Sequence, residues 1–321
     1  MRPIIVTSAL RKKFPCKGGF TEVLKGVDLE IFPGEIFGFL GPNGAGKTTM
    51  LKILTTLLPL DSGNVFIDGF NILEHQDEVR KRIGYVSQKG GADTRATGRE
   101  NLILQGRLHG MSKKEASSQA DSLVEIFSLS ECIDRIVLTY SGGQQRRLDI
   151  ALGMMHKPKI LFLDEPTSGL DPQNRANLWT KIRELKAEGV TIFLTSHYLD
   201  EVDELSDRLA IIDHGKIVAK GTSAELKKQI SGDIVTIGFG KNFQTQAKEL
   251  FSSQHTFIRE VVWGTQDLRL YVDQGESALL HILRLLDQSR IPIETMNMSL
   301  PSLNDVFLKK TGRLLREEDP S

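Results

Sequence analysis

One run constrains this chain more than any other. Gly41-Pro42-Asn43-Gly44-Ala45-Gly46-Lys47-Thr48-Thr49 follows directly on the apolar stretch Ile36 to Leu40. It fits the pattern G-x-x-x-x-G-K-[ST] in the strand–turn–helix context which that pattern requires. Glycines let the backbone wrap closely around phosphates with the amide N–H groups turned inward. A helix opening at Lys47 adds the positive end of its dipole. Lys47 is placed to reach β- and γ-phosphates, and the Thr48 hydroxyl to ligate Mg²⁺. The plain alternative is a glycine-rich turn before a helix, which the full motif in its context disfavours.

The rest of the chain carries α/β patterning to about residue 220. Ile36 to Leu40, Ile160 to Leu163, Thr191 to Thr195 and Leu209 to Ile212 are nearly continuous apolar runs. Strands of this kind are covered on both faces, which predicts a parallel sheet wrapped by helices, one of them over Asn174 to Glu188. Lysine and arginine number 41, aspartate and glutamate 41, so the formal net charge is zero. That gives no global attraction to nucleic acid or anionic lipid. Cys16 and Cys132 have neither metal-ligand spacing nor a disulfide framework and read as free thiols. No stretch approaches the roughly 20 apolar residues of a membrane helix. The first residues lack a secretory h-region. The chain is therefore expected in the cytosol, held at a membrane only by another chain.

Two further segments carry chemistry. Ile160-Leu161-Phe162-Leu163 ends in Asp164-Glu165. Successive side chains on a strand point to opposite faces, so the two acids can differ in role. Asp164 would support Mg²⁺, directly or through water, and Glu165 would orient the attacking water; the plain reading is a strand end with solvated acids. Tyr140-Ser141-Gly142-Gly143-Gln144-Gln145-Arg146-Arg147 opens a helix with Ser141 as its N-cap. Its first turn is either a second anion site or a cap without a ligand. Arg146 and Arg147 read as a solvated helix face, and Met154 and Met155 as core.

After Gly221 the texture changes. Strands are expected over Asp233 to Gly240, Phe257 to Trp263, Leu268 to Asp273 and Ile291 to Met298, and helices over Phe243 to Ser253 and Ser277 to Gln288. The order β-α-β-β-α-β matches the split, ferredoxin-like α+β arrangement. A last helix is expected near Ser302, with Asp305 closing a capping box. The expected domains are 1–230 and 231–312, followed by a charged tail, 313–321.

The order of these motifs resembles that of ATP-binding cassette (ABC) proteins. Ser141-Gly142-Gly143-Gln144 is similar to that family's signature motif and lies, as there, between the phosphate loop and Asp164. Gln88 in Tyr85-Val86-Ser87-Gln88 resembles its glutamine loop. Asp171 in Ser168-Gly169-Leu170-Asp171 resembles its aspartate loop, and His197 in Thr195-Ser196-His197 its switch histidine. Phe14 resembles the ring that stacks on adenine. The family usually has Tyr there, so the ring is kept and the hydroxyl lost. Ala96-Thr97-Gly98-Arg99-Glu100-Asn101-Leu102, His197-Tyr198-Leu199-Asp200-Glu201 and Pro301-Ser302-Leu303-Asn304-Asp305-Val306-Phe307-Leu308 resemble the daunorubicin-resistance type of bacterial drug-exporter ATPase. That subfamily usually has Leu in place of Ala96.

The resemblance implies a P-loop ABC ATPase domain with a helical subdomain, ATP and Mg²⁺ as ligands, and a γ-phosphate-sensing role for His197. It implies that Gln88 contacts Mg²⁺ and water. It also implies a head-to-tail dimer in which Ser141 and Gly143 of one copy close over ATP held by Lys47 and Thr48 of the other. A separate six-helix exporter permease would move the cargo, with this chain peripheral on the cytoplasmic side of the membrane and no nucleic-acid partner. The alternatives are an importer ATPase and a soluble ABC protein acting on ribosomes or DNA. The single cassette and neutral charge weigh against the second of these.

Overall fold

The apolar runs of the first half lie where their composition requires, in the middle of a sheet. In this computed structural model, residues 2–230, 232–240, 243–252, 255–263 and 267–312 are described. The tail, 313–321, lies outside the described residues. The chain divides into two compact units, one ending at Ser223 and one beginning at Ala224.

The first unit opens with a long hairpin of β1 (Ile5–Cys16) and β2 (Gly19–Ile31), then β3 (Ile36–Leu40) and α1 (Lys47–Leu54). It continues through β4 (Ser62–Ile67), β5 (Phe70–Asn71), α2 (Gln76–Arg80), β6 (Ile83–Val86), α3 (Gly98–Leu108), α4 (Lys113–Ile126) and α5 (Gly142–Met154). It ends with β7 (Ile160–Asp164), α6 (Pro172–Ala187), β8 (Thr191–Ser196), α7 (Leu199–Leu205), β9 (Arg208–Asp213) and β10 (Lys216–Gly221).

Six of these strands form a sheet in the order β10-β9-β3-β8-β7-β6. All neighbours are parallel except β10, which pairs antiparallel with β9 at the edge. The wholly parallel sheet expected from the apolar runs thus has one antiparallel margin. Every residue of β3, β7 and β8 is buried. Phe37, Phe39, Phe162 and Phe193 pack ring on ring across them. Because β3, β6, β7 and β8 run the same way, their C-terminal ends share one edge, the usual ligand edge of an open α/β sheet.

A second, antiparallel sheet, β2-β1-β4-β5, carries Phe14 opposite Thr21 in its hairpin. α3, α4 and α5 pack on one another as a helical group. α6 starts two residues before its expected start because the Asp171 carboxylate caps it, accepting from Asn174 N at 2.9 Å with Pro172 in the first turn.

α8 (Ser223–Lys228) precedes β11 (Asp233–Phe239), α9 (Gln244–Ser252), β12 (Ile258–Trp263), β13 (Asp267–Val272), α10 (Gly275–Gln288), β14 (Ile293–Ser299) and α11 (Leu303–Thr311). The sheet order β12-β13-β11-β14, with every pair antiparallel, is the split β-α-β-β-α-β topology expected from sequence. Alternate residues of the central strands (Val235, Ile237, Leu268, Leu270) meet Ala247 and Phe251 of α9 and Ala278, Ile282 and Leu286 of α10. Ser302 and Asp305 close the capping box on α11, and Asp305 Oδ1 accepts from Arg269 on β13 at 3.0 Å. Among the described residues no helix is long and apolar enough to cross a membrane.

Candidate functional site

The loop between β3 and α1 is shaped by its glycines. Gly44 and Gly46 have φ of 77° and 111°, left-handed values that side-chain-bearing residues rarely adopt. A Cβ on Gly46 would also stand 2.9 Å from Leu24 Cδ2. Gly41 and Ala45 form the buried base of the loop: Gly41 N donates to Ser196 O at 3.3 Å and Ala45 N to Pro42 O at 3.2 Å. Pro42, Asn43, Gly44, Gly46, Lys47, Thr48 and Thr49 line a cavity of about 560 Å³. Gln88, Glu165 and His197 arrive from the ends of β6, β7 and β8 to complete its wall, and Val23 of β2 joins them.

Glu165 is the hub. Its Oε1 lies 3.4 Å from Lys47 Nζ, and its Oε2 accepts from Gln88 Nε2 at 2.9 Å and lies 3.1 Å from His197 Nδ1. Burial is the largest single influence on this carboxyl and pushes its pKa up. The close approach of His197 and the charge of Lys47 oppose it, and the group is held below the ordinary glutamate value and is ionised at neutral pH. Lys47 Nζ also donates to Gly41 O at 2.7 Å. Burial lowers its pKa, with Glu165 and Asp164 pulling the other way.

The two acids are separated by a device other than strand alternation. Asp164 is the last residue of β7 and, unlike Glu165, does not line the cavity; it is buried, and Thr195 Oγ1 donates to its Oδ1 at 2.6 Å. Glu165 lies beyond the strand, and its φ of 44° swings the side chain toward Lys47. His197 packs against Tyr198 with ring centroids 4.0 Å apart and planes tilted by 41°, and the Arg175 guanidinium sits 4.8 Å over the Tyr198 ring. Neither Tyr198 nor Arg175 stands out in the sequence as a support for His197.

Other expected site residues do not line this cavity. Ser141, Gly142 and Gln144 lie at the start of α5, Ser141 and Gly142 exposed, with Ser141 and Gln144 closing a capping box on each other. Gly143 is buried against the Asn174 side chain, which also donates to Asp171. Asp171 itself is exposed and serves as the α6 cap. Phe14 is half-buried, with Lys12 Nζ 5.6 Å from its ring centroid and in turn bonded to Asp61 at 2.7 Å. The nearby Phe20 is 74% exposed and is no part of the core. Met154 and Met155 are buried, as expected.

The expectation that Arg146 and Arg147 form a solvated face is wrong. Arg146 is only 7% exposed, and its guanidinium donates to three backbone carbonyls, those of Pro166, Ser87 and Asp164. Arg147 is half-buried, with an Nε fully shielded from solvent. Charged residues are mostly exposed, and only the three converging carbonyls make Arg146 an exception.

Comparison with known proteins agrees with this geometry. Residues 24–168 match the family model described as ABC transporter. Residues 221–311 match that of the ATP-binding protein DrrA1-3-like, C-terminal domain. The chain is 39% identical over 297 residues to the daunorubicin resistance ATP-binding protein DrrA3 of Streptomyces coeruleorubidus, covering 92% of each. It is 33% identical to the linearmycin resistance ATP-binding protein LnrL of Bacillus subtilis, covering 93% of this chain and 96% of the relative. It is 36% identical to the Nod factor export ATP-binding protein I of a Rhizobium strain, covering 91% and 92%. Among solved structures, it resembles an ATP-binding cassette described as a dimeric post-hydrolysis state bound to ADP and Pi. That match has a TM-score of 0.63 at 26% identity and covers 68% of this chain and 98% of the other.

Proposed function

Since the chain belongs to the ABC transporter family, among the ATP-binding proteins of the daunorubicin-resistance type, we propose that it is the ATP-hydrolysing subunit of an exporter whose pore is a separate permease. The cargo class is a drug, an antibiotic or a lipid-like compound, in keeping with the names of its relatives. The observation that carries this reading is the Glu165 carboxylate, ionised and shared by Lys47, Gln88 and His197 at the rim of a glycine-lined phosphate cradle.

Phosphoryl transfer needs positioning and charge neutralisation more than covalent chemistry. In this reading the loop amides and Lys47 hold the β- and γ-phosphates, Glu165 orients and deprotonates the attacking water, and His197 and Gln88 keep Glu165 aimed. The donors present suit Mg²⁺. Thr48 offers a hydroxyl at the cradle, Gln88 an amide oxygen, and Asp164 a carboxylate oriented by Thr195. Among the described residues no cluster of three His, Cys, Asp or Glu forms a ready-made metal site. Thr48, Gln88 and Asp164 would hold Mg²⁺, which when bound would neutralise phosphate charge.

Ser141 and Gly143, both outside the cavity of their own chain, would close over the nucleotide of a second copy. ATP then joins two copies and hydrolysis releases them, and this cycle would drive a permease from the cytoplasmic face of the membrane. We assign 1–230 to nucleotide binding and 231–312 to an accessory domain that stabilises or regulates the dimer.

The test is Glu165→Gln. ATP binding should persist while phosphate release slows by roughly 10²–10⁴-fold, the usual contribution of a general base. Near-normal turnover would remove Glu165 from that role. Ser141→Arg should keep nucleotide affinity in the monomer and abolish ATP-driven dimers; a dimer that still forms would refute the cross-subunit closure.

A further inference from the structure

Arg146 and Asp149 lie three residues apart on α5, hence on one helix face, and both are buried. Arg146 Nη1 donates to Ser87 O at 2.7 Å, Nη2 to Asp164 O at 2.9 Å and Nε to Pro166 O at 2.7 Å. It therefore holds the residue before Gln88 and the residues on either side of Glu165. Asp149 Oδ1 accepts from Gly91 N at 2.9 Å and Ala92 N at 3.3 Å. Between these two grips the turn closes on itself, with Ser87 Oγ donating to Gly90 O and Gly90 N to Ser87 O. Gly90 has φ of 76°, and a Cβ there would stand 2.5 Å from Asp149 Oδ2, so the carboxylate sits directly against the backbone. The Gln88 loop is thus pinned to α5 at both ends.

A buried guanidinium is costly unless its donors are satisfied, and a well-packed apolar side chain is often as stable in such a place. Three backbone carbonyls drawn from two catalytic loops have a different consequence: they fix geometry. Resting on the functional reading above, we propose that Arg146 and Asp149 are positioning residues, a two-point clamp by which α5 sets Gln88 and Glu165 of its own chain. The helix whose N-terminus would engage the nucleotide of a second copy then also holds the hydrolytic residues of the first. Docking at Ser141 is relayed along one rigid helix to the carboxylate that directs water.

The experiment measures ATPase kinetics of the full chain carrying Arg146→Gln, Gln88→Ala and both, with nucleotide affinity of the monomer as the folding control. Arg146→Gln should lower kcat on the order of 10²-fold, as for a small misplacement of reacting groups, with KM and monomer affinity unchanged. Arg146→Lys should recover part of the loss. The double variant should be no slower than the slower single variant, because both changes act through Gln88 and Glu165. Multiplying losses, or a KM effect without a kcat effect, would overturn the clamp.

The second arm stands if Arg146→Gln does not fold. Asp149→Asn, which keeps an acceptor, should retain kcat, whereas Asp149→Ala should lose it and speed hydrogen exchange at Gly91 and Ala92. Unchanged kcat and exchange in Asp149→Ala would also overturn it. A wild-type chain that neither binds nor hydrolyses ATP would overturn the functional reading itself, whereas an active wild type with multiplying losses would overturn only the clamp.

Discussion

At the residue scale the site depends on small polar groups that place large charged ones. Glu165 adopts a left-handed backbone, a conformation that costs of order 1–3 kcal/mol in a residue with a side chain. Thr195 offsets this: its carbonyl and its Oγ1 both accept from Glu165 N, each at 3.1 Å, while the same Oγ1 donates to Asp164 Oδ1. One hydroxyl therefore orients both acids. Thr195→Val keeps the volume but strands a buried carboxylate oxygen. It should lower stability by roughly 1–3 kcal/mol, as lost partners of buried groups do, read by denaturant unfolding, and should lower kcat while ATP affinity persists. Asp164 and Glu165 were legible in sequence as a pair of acids after an apolar run. Thr195 and Arg146 were not legible as their supports, since nothing local marks a threonine inside a strand or an arginine after a helix cap as a partner to residues that distant.

At the element scale, short-range signals were read most reliably. Ser141 as an N-cap and Ser302 with Asp305 as a capping box were expected and are found; the structure adds the Ser141–Gln144 pairing and boxes of Thr97 with Glu100 and Ser112 with Glu115 on α3 and α4 that were not expected. Caps depend on residues three apart and so survive whatever the tertiary context. The apolar spacing of α10 was similarly legible, and Ile282 on it is fully buried. Ile282→Ala should cost roughly 2–5 kcal/mol, the range for large-to-small changes in a core, measured by denaturant unfolding of the full chain. The β1–β2 hairpin was not legible. Its residues mix charged and apolar types, Ala9 takes φ of 49°, and its register shifts at several points, so the alternation that marks a strand is interrupted.

At the scale of the whole molecule, strand order does the assembling. Gln88 and Glu165 are 77 residues apart and meet because β6 and β7 are neighbours that run the same way. β3, which carries the phosphate loop, sits between β9 and β8, placing Lys47 beside both Glu165 and the loop that carries His197. A ligand that binds only the folded chain stabilises it by mass action. ATP at 100 times its dissociation constant should therefore add about 2.7 kcal/mol, seen as a raised unfolding temperature. Lys47→Ala, lacking the ammonium proposed to meet the phosphates, should lose most of that gain at the same ATP concentration.

By itself the sequence determined the phosphate loop, the acid pair, the helix caps and the β-α-β-β-α-β order of the second unit. Each of these is written in residues close together along the chain, where backbone preference and side-chain period act directly. Only the tertiary structure decided that Arg146 is buried on three carbonyls, that Glu165 leaves its strand to face Lys47, and that Ser141 stays outside the cavity its own chain builds. Those outcomes depend on which strand lies beside which, and on where a charge finds enough partners to leave water; both are properties of the packed molecule rather than of any window of sequence.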